Sequence, residues 1–295
     1  MSGGAPLVVA IGAVLWDVFP DGERLGGAPA NFAVHANSLG ARSALVSCVG
    51  DDAKGKAAID VLSGRGVATD AIQIEACRPT GTVPVTLNNG QPSYEIVEGV
   101  AWDAIAWRSE LALLAGEAHA ICFGTLDQRE DQSRQTITRF LDAATTDCLC
   151  VFDVNFRQHY HGLDVVMESL NRADILKLND EEVVLLREYV GGAEDVDAFL
   201  ESVRTRFNLR CVILTLGEMG CRVVSPEGIF KAHGEEQAVE NTVGAGDAFT
   251  AAFVLHLLHG ADLQVCAQSA NDVGGFVTTQ DSGMPDLPAR FRVFN

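Results

Sequence analysis

Basic residues are scarce in this chain: 21 Lys and Arg stand against 40 Asp and Glu, leaving a formal charge of −19. Nucleic acids and anionic membranes are held by Lys/Arg-rich faces, so the shortage excludes both as general partners and leaves small molecules. An anionic ligand would need local attraction from backbone amides, from a cation such as Lys177 or Arg157, or from a bound metal. Long apolar runs are missing as well. The opening "MSGGAPLVVAIG" has no basic flank and no signal-length apolar segment, and no later run approaches a membrane span, so the expected location is cytoplasmic. The eight cysteines are scattered, mostly inside apolar runs such as "AICFG" and "CLCVFDV", and none forms a CxxC pair. Buried reduced thiols suit that pattern better than zinc ligands. The seven histidines show no metal-ligand spacing. Repeats, low-complexity tracts and linkers are also absent, so residues 1–295 read as a single domain.

What is present is a chain with 47% hydrophobic residues, enough for a sizeable core. Short apolar runs recur between helical patterns: "LVVAIG" at 7–12, "SALVSCVG" at 43–50, "AICFG" at 120–124, "CLCVFDV" at 148–154, "DILKLN" at 174–179 and "CVILTLG" at 211–217. Such alternation predicts an α/β fold with a mostly parallel sheet covered on both faces. Ligands bind at the carboxyl ends of such strands, which directs attention to Asp153, Asn179 and Gly217. Segments 14–27, with a Pro-Asp-Gly turn, and 81–99, with Asn-Asn-Gly, break the alternation. They predict a small β flap that either closes over a site or pairs with a second copy as a homodimer.

Two loops compete for an anion. "GDDAKGKA" at 50–57 nearly fits a phosphate-binding P-loop, but Ala57 replaces the hydroxyl needed for Mg²⁺, and Asp51 and Asp52 would repel phosphate. A helix corner with an acidic first turn explains it better. No GxGxxG follows the first strand, which weakens a nucleotide-dependent oxidoreductase. "NTVGAGDAF" at 241–249 is the stronger loop. Gly244, Ala245 and Gly246 can aim amides at a developing charge, while Asp247 behind them can take a proton from an attacking hydroxyl. Spacing alone equally allows Asp247 as a plain first-turn carboxylate, with Thr242 as the helix cap.

The "NTVGAGDAF" segment resembles the Asp-Thr-x-Gly-Ala-Gly-Asp signature of the ribokinase-like, or PfkB, family of sugar and nucleoside kinases. "LGGAPANFAVHANSLG" at 25–40, followed by "VGDDAKG", resembles that family's second signature, and the likeness runs from about residue 7 to 288. "FGTLDQR", "FDVNFRQHY", "ILKLNDEE" and "GFVTTQDSGMP" are most similar to bacterial fructokinase-type members. The resemblance implies a three-layer sandwich with a β-sheet lid, ATP as donor and Mg²⁺ as metal. It makes Asp247 the general base and the backbone of 244–246 the anion hole. Asp17, Gly27 and Asn31 match sugar-contacting positions, although Asn31 by itself reads as a polar residue in the first turn of a helix started by Pro29.

Asn179 and Glu182 match a motif that positions Mg²⁺ and phosphate through water, and their spacing is also that of a capping box. Thr215, Gly217 and Gly220 match the strand-end turn near the nucleotide, and Asn271 the closure of the adenine pocket. Arg157, in "DVNFR", is placed to meet sugar or phosphate, or to form a surface ion pair. One residue departs from the pattern. Asn241 replaces the Asp that would help bind a monovalent cation, so only weak K⁺ activation is expected, with Asp281 as a compensating charge. The resulting expectation is an ATP-dependent kinase acting on a primary hydroxyl, with D-fructose as acceptor. Ribose, 2-keto-3-deoxygluconate and nucleosides are rival acceptors, and a catalytically silent sugar sensor is the rival of a different class.

Overall fold

The computed structural model describes residues 4–88, 91–234 and 237–294. Strand β1 (Leu7–Ile11) leads into a hairpin of β2 (Leu15–Phe19) and β3 (Gly22–Gly26), then α1 (Ala28–Ser38). Next come β4 (Arg42–Gly50), α2 (Ala53–Gly64), β5 (Ile72–Glu75), β6 (Gly81–Asn88) and β7 (Gln91–Tyr94). Regular alternation follows with α3 (Ser109–Glu117), β8 (Ala120–Phe123), α4 (Asp131–Asp142), β9 (Leu149–Asp153), α5 (Leu163–Leu170) and β10 (Ile175–Asn179). Two helices, α6 (Asp180–Val190) and α7 (Val196–Arg206), precede β11 (Cys211–Thr215), β12 (Cys221–Ser225) and β13 (Gly228–Ala232). The chain then closes with α8 (Ala245–His259) and α9 (Leu263–Thr278).

The central sheet has the order β13-β12-β11-β10-β9-β8-β1-β4-β5, parallel from β5 to β11 and antiparallel in its last two strands. Its inner strands are buried on both faces, which is why they read as unbroken apolar runs. One core packs Phe32 of α1, Leu62 of α2, and α8 and α9 against the sheet. The opposite core packs α3 to α7 through Leu111, Phe140, Leu170, Leu186 and Phe199. These are the three layers expected. Segments 14–27 and 81–99 carry the second sheet, of order β3-β2-β6-β7, joined to the main body by Ala13, Leu15, Val83, Val100 and Trp102. The Asn-Asn-Gly turn includes residues 89–90, which lie outside the described residues.

Helix α8 is apolar all round because it is buried all round, between the sheet, α1 and α9. The left-handed Gly260 ends it, where a residue with a Cβ would be strained. All eight cysteines are unpaired, and all but Cys77 are buried. Among the described residues no helix is long and apolar enough to cross a membrane.

The P-loop look-alike is a helix corner. Asp52 caps α2 by accepting from the Gly55 amide at 2.7 Å, and it also accepts from the Thr80 amide at 2.8 Å and hydroxyl at 2.7 Å. Its bonds fasten the start of β6 to the end of β4. Asp52→Ala is therefore expected to lower the unfolding free energy by about 1–3 kcal/mol, read as a lower urea midpoint. A phosphate-loop role predicts the opposite pattern, lost nucleotide binding at unchanged stability.

Candidate active site

The carboxyl ends of β1, β8, β9, β10 and β11 open on one cavity of about 1370 Å³, bounded on one side by the second sheet and on another by the start of α8. That is more than one small ligand needs, since single-ligand pockets run to about 1,000 Å³. None of residues 50–57 lines it.

Helix α8 begins facing this cavity without a side-chain cap. Gly244 occupies the N-cap position with φ 78°, so Thr242 does not cap the helix. The backbone of Gly283 lies against Gly244 so closely that a Cβ there would collide with it. The amides of Gly246 and Asp247 have no acceptor among the described residues, leaving an electropositive helix end turned to the cavity.

Asp247 sits in this first turn and accepts from Asn31 Nδ2 at 2.7 Å. Burial, and then the nearby charge of Asp153, push its carboxyl up to about 6, against the Asn31 bond and the positive charges of Lys177 and Arg157. Asn31 is 4% exposed, and its Oδ1 is buried without a partner. An orphaned acceptor of this kind is costly unless a ligand supplies the donor.

Beneath the loop lies a buried ion pair. Lys177 Nζ donates to Asp153 Oδ1 at 3.1 Å, and a Cβ on Gly246 would stand 3.1 Å from that ammonium. Burial alone would pull the Lys177 ammonium down, but Asp153, Glu182 and Asp247 outweigh it and hold it above its usual range. Thr250 donates its hydroxyl to the Gly246 carbonyl at 2.9 Å, with Asp153 Oδ2 at 3.2 Å. Cation, carboxylate and helix end thus form one connected unit.

At the second-sheet end, Asp17 on β2 and Gly27 at the start of α1 line the cavity with Asn31. Burial raises the Asp17 carboxyl to about 6, opposed by Arg24. A Cβ on Gly27 would collide with the Ala13 carbonyl, so this wall has no room for a side chain. Arg157 also lines the cavity, on a turn where Asn155 and Gln158 hold left-handed φ values of 42° and 50°. Its guanidinium donates to the Phe156 carbonyl and Asn155 Oδ1 rather than to a carboxylate. At the far end the lining includes Thr215, Gly217, Gly220 and Asn271, the last donating to the His233 carbonyl at 3.1 Å.

Asn179 and Glu182 form a capping box: the Glu182 amide donates to Asn179 Oδ1, and Glu182 Oε2 accepts from the Asn179 amide, each at 2.8 Å. Glu182 Oε1 accepts from the Phe156 amide, which ties the Arg157 turn to α6. Asn179 lines the cavity and Glu182 does not. Both carboxylate oxygens are therefore engaged, and no group of three or more His, Cys, Asp or Glu suited to a metal occurs among the described residues. Asn241 accepts from the Val243 amide through Oδ1 and donates to the Asp281 carbonyl at 3.4 Å.

Sequence reasoning did not assign Asp127, Thr250 or the pairing of Lys177 with Asp153. Asp127 follows a strand end, the criterion that selected Asp153 and Asn179, so the signal was available. For Lys177, a charged residue inside an apolar strand was the sign.

Fold and cavity together define an α/β protein with a ligand-sized cavity at the carboxyl ends of a parallel sheet. The chain belongs to the pfkB family of carbohydrate kinases, whose pattern it matches over residues 18–290. It is 32% identical over 273 residues to an uncharacterized sugar kinase of Pyrococcus horikoshii, covering 90% of this chain and 84% of the relative. Fructokinase-2 of Oryza sativa subsp. japonica is 28% identical over 309 residues, 96% of this chain and 91% of that one. Among solved structures, the Pyrococcus kinase in complex with ATP superposes with TM-score 0.78 at 28% identity over 94% of both chains. Fructokinase from Vibrio cholerae, bound to fructose, ADP and calcium, shares the fold with TM-score 0.82 at 22% identity over 98% of both chains.

A carboxyl can accept a proton only when ionised, and with its pKa raised to about 6 Asp247 loses that form as pH falls through about 6 rather than near the usual carboxylate value of 3.8. Kinase kcat/KM is therefore expected to show an acid limb near pH 6, measured at saturating donor. Asp17→Asn and Asp127→Asn, which remove the other two raised carboxyls lining the cavity, should each leave the limb in kcat. A limb near pH 4 would show that Asp247 is not the titrating base.

Proposed function

We propose that this protein is an ATP-dependent kinase that transfers phosphate to a primary hydroxyl of a small sugar, with D-fructose as acceptor and fructose 6-phosphate as product. The observation that carries this reading is Asp247, a carboxylate with a raised pKa at an uncapped helix N-terminus whose amides face the same cavity. An acid beside an anion site is self-defeating unless it has a proton to remove. Acceptor hydroxyls suit Asp17, the unpartnered Asn31 Oδ1 and the bare wall at Gly27. The end lined by Thr215, Gly217, Gly220 and Asn271 has room for a nucleotide, and the relative of known structure at 28% identity binds ATP.

In this reading Asn31 orients Asp247, and Asp247 accepts the proton of the attacking hydroxyl. The free amides of Gly246 and Asp247, not that of Ala245, which donates to the Thr242 carbonyl, and the Lys177 ammonium beneath Gly246 stabilise charge on the transferred group by position and electrostatics. Arg157, held on its own turn, stands ready for sugar or phosphate oxygens. Mg²⁺, when bound with ATP, would neutralise phosphate charge. Because Glu182 already accepts two backbone amides, its share in holding Mg²⁺, with Asn179, runs through water, consistent with a cation that keeps most of its waters. The second sheet acts as the lid that excludes water from the acceptor.

Asp247→Asn is expected to keep the fold and sugar binding while kcat falls by about 10²-fold or more. Near-normal turnover would reduce Asp247 to a helix-end residue. Across a panel of sugars, nucleosides and keto-deoxy acids, D-fructose should give the highest kcat/KM in an ADP-release assay, with phosphate on O6. A hundredfold preference for another acceptor would replace the substrate and spare the mechanism. Asn241 offers a monovalent cation only a dipole. Activation by KCl at constant ionic strength should accordingly be weak, and stronger in Asn241→Asp; saturation at low-millimolar K⁺ without the substitution would refute this.

A further inference from the structure

Strands β1 and β8 are parallel neighbours, but β1 is followed by β4 on one side of the sheet and β8 by β9 on the other. Their outgoing chains part above the sheet, the point at which open α/β sheets bind ligands. Asp127 occupies this gap, on a single turn of 3₁₀ helix, Leu126–Gln128, just past β8. Its Oδ1 accepts from the Ala13 amide, just past β1, at 2.7 Å. Room for the carboxyl comes from absent side chains. A Cβ on Gly12 would collide with it, and one on Gly124 would come within 3.3 Å of Oδ2.

Asp127 is 4% exposed yet lines the cavity, and burial lifts its carboxyl to about 7. Arg129, two residues on, does not pair with it, because that guanidinium is bidentate to Asp103 at 2.7 and 2.8 Å and also donates to the Val97 carbonyl. Among the described residues Asp127 has no ion-pair partner, and its donors are the amides of Ala13 and of Asp127 itself. Ala13 also forms the wall that forbids a side chain at Gly27. Asp127 and Gly27 therefore meet at one residue, which puts Asp127 at the acceptor end of the cavity with Asp17.

We propose that Asp127 is a specificity-determining residue of the acceptor subsite, bonding hydroxyls of an uncharged polyhydroxy acceptor and turning away acceptors that carry a carboxylate or phosphate. The inference deepens the kinase reading and rests on it. Three carboxylates, Asp17, Asp127 and Asp247, border this end, while Lys177 is paired with Asp153, and the charge of Arg157 bears on Asp247 rather than on Asp17 or Asp127. Above about pH 7, where Asp127 carries its charge, one like charge at about 5 Å and an effective dielectric near 20 is enough for a discrimination on the order of 10²-fold.

The test compares D-fructose with 2-keto-3-deoxygluconate, a sugar acid, at about pH 8, where Asp127 is ionised, in the native protein and in Asp127→Asn, whose side-chain oxygen can still accept from the Ala13 amide. The native protein should prefer fructose by about 10²-fold in kcat/KM, and Asp127→Asn should shrink that ratio at least about tenfold, through a lower value for fructose and a higher one for the acid. A purely structural role would lower both equally and leave the ratio in place; that result, or a native preference for the acid, overturns the proposal. ADP release with any acceptor reports on the kinase reading independently. If no acceptor is turned over, calorimetric titration of the same two compounds into both proteins still decides, because the proposal requires the affinity ratio to shift in the same direction.

Discussion

The start of α8 is an uncapped helix end that the fold holds in place and cannot itself satisfy. Burial between the sheet, α1 and α9 fixes the axis of the helix, the contact between Gly283 and Gly244 fixes where it begins, and no side chain covers its first amides. Unpaired amides of this kind are tolerated where they face solvent or a ligand. The cavity supplies that exposure, and the polar groups on its walls are arranged around it.

Charge in the site opposes charge in the whole molecule. A chain with formal charge −19 repels anions, yet at the helix end it sets amides above the ammonium of Lys177. Burying Lys177 requires a partner, and Asp153 is that partner at 3.1 Å. Such a pair is weak evidence of stability, because desolvation offsets most of the attraction, whereas losing one member leaves an uncompensated buried charge at a cost of about 3–5 kcal/mol. The pair also bears on Asp247 from both sides, Asp153 raising its pKa and Lys177 lowering it. Thr250 links the same carboxylate to the loop backbone, so the electrostatics and the position of the loop are not independent.

Glu182 shows why one spacing can have two meanings. Asn-x-x-Glu at a helix start is a capping box here, with both reciprocal bonds formed, and the same Glu182 also fastens the Arg157 turn through Phe156. A role in placing phosphate and metal, if exercised through water, uses a carboxylate that the fold has already oriented. Sequence spacing could not separate the two because they need the same geometry.

Periodicity and turn residues were enough to determine the α/β class, the positions of six of the nine central strands to within a residue or two and the extra β segments, while β5, β12 and β13 went unread. All of these are local: side chains within a few positions decide whether a segment forms a strand, a helix or a turn. Only the tertiary structure decided what those segments meet. Asn31 reaches Asp247 across 216 residues, Ala13 meets Asp127 across 114, and Lys177 meets Asp153 across the β9–β10 pair. These contacts follow from strand order and from the parting of β1 and β8, which no short window contains. The raised pKa values of Asp17, Asp127 and Asp247 arise there too, since they come first from burial, and burial belongs to the assembled fold.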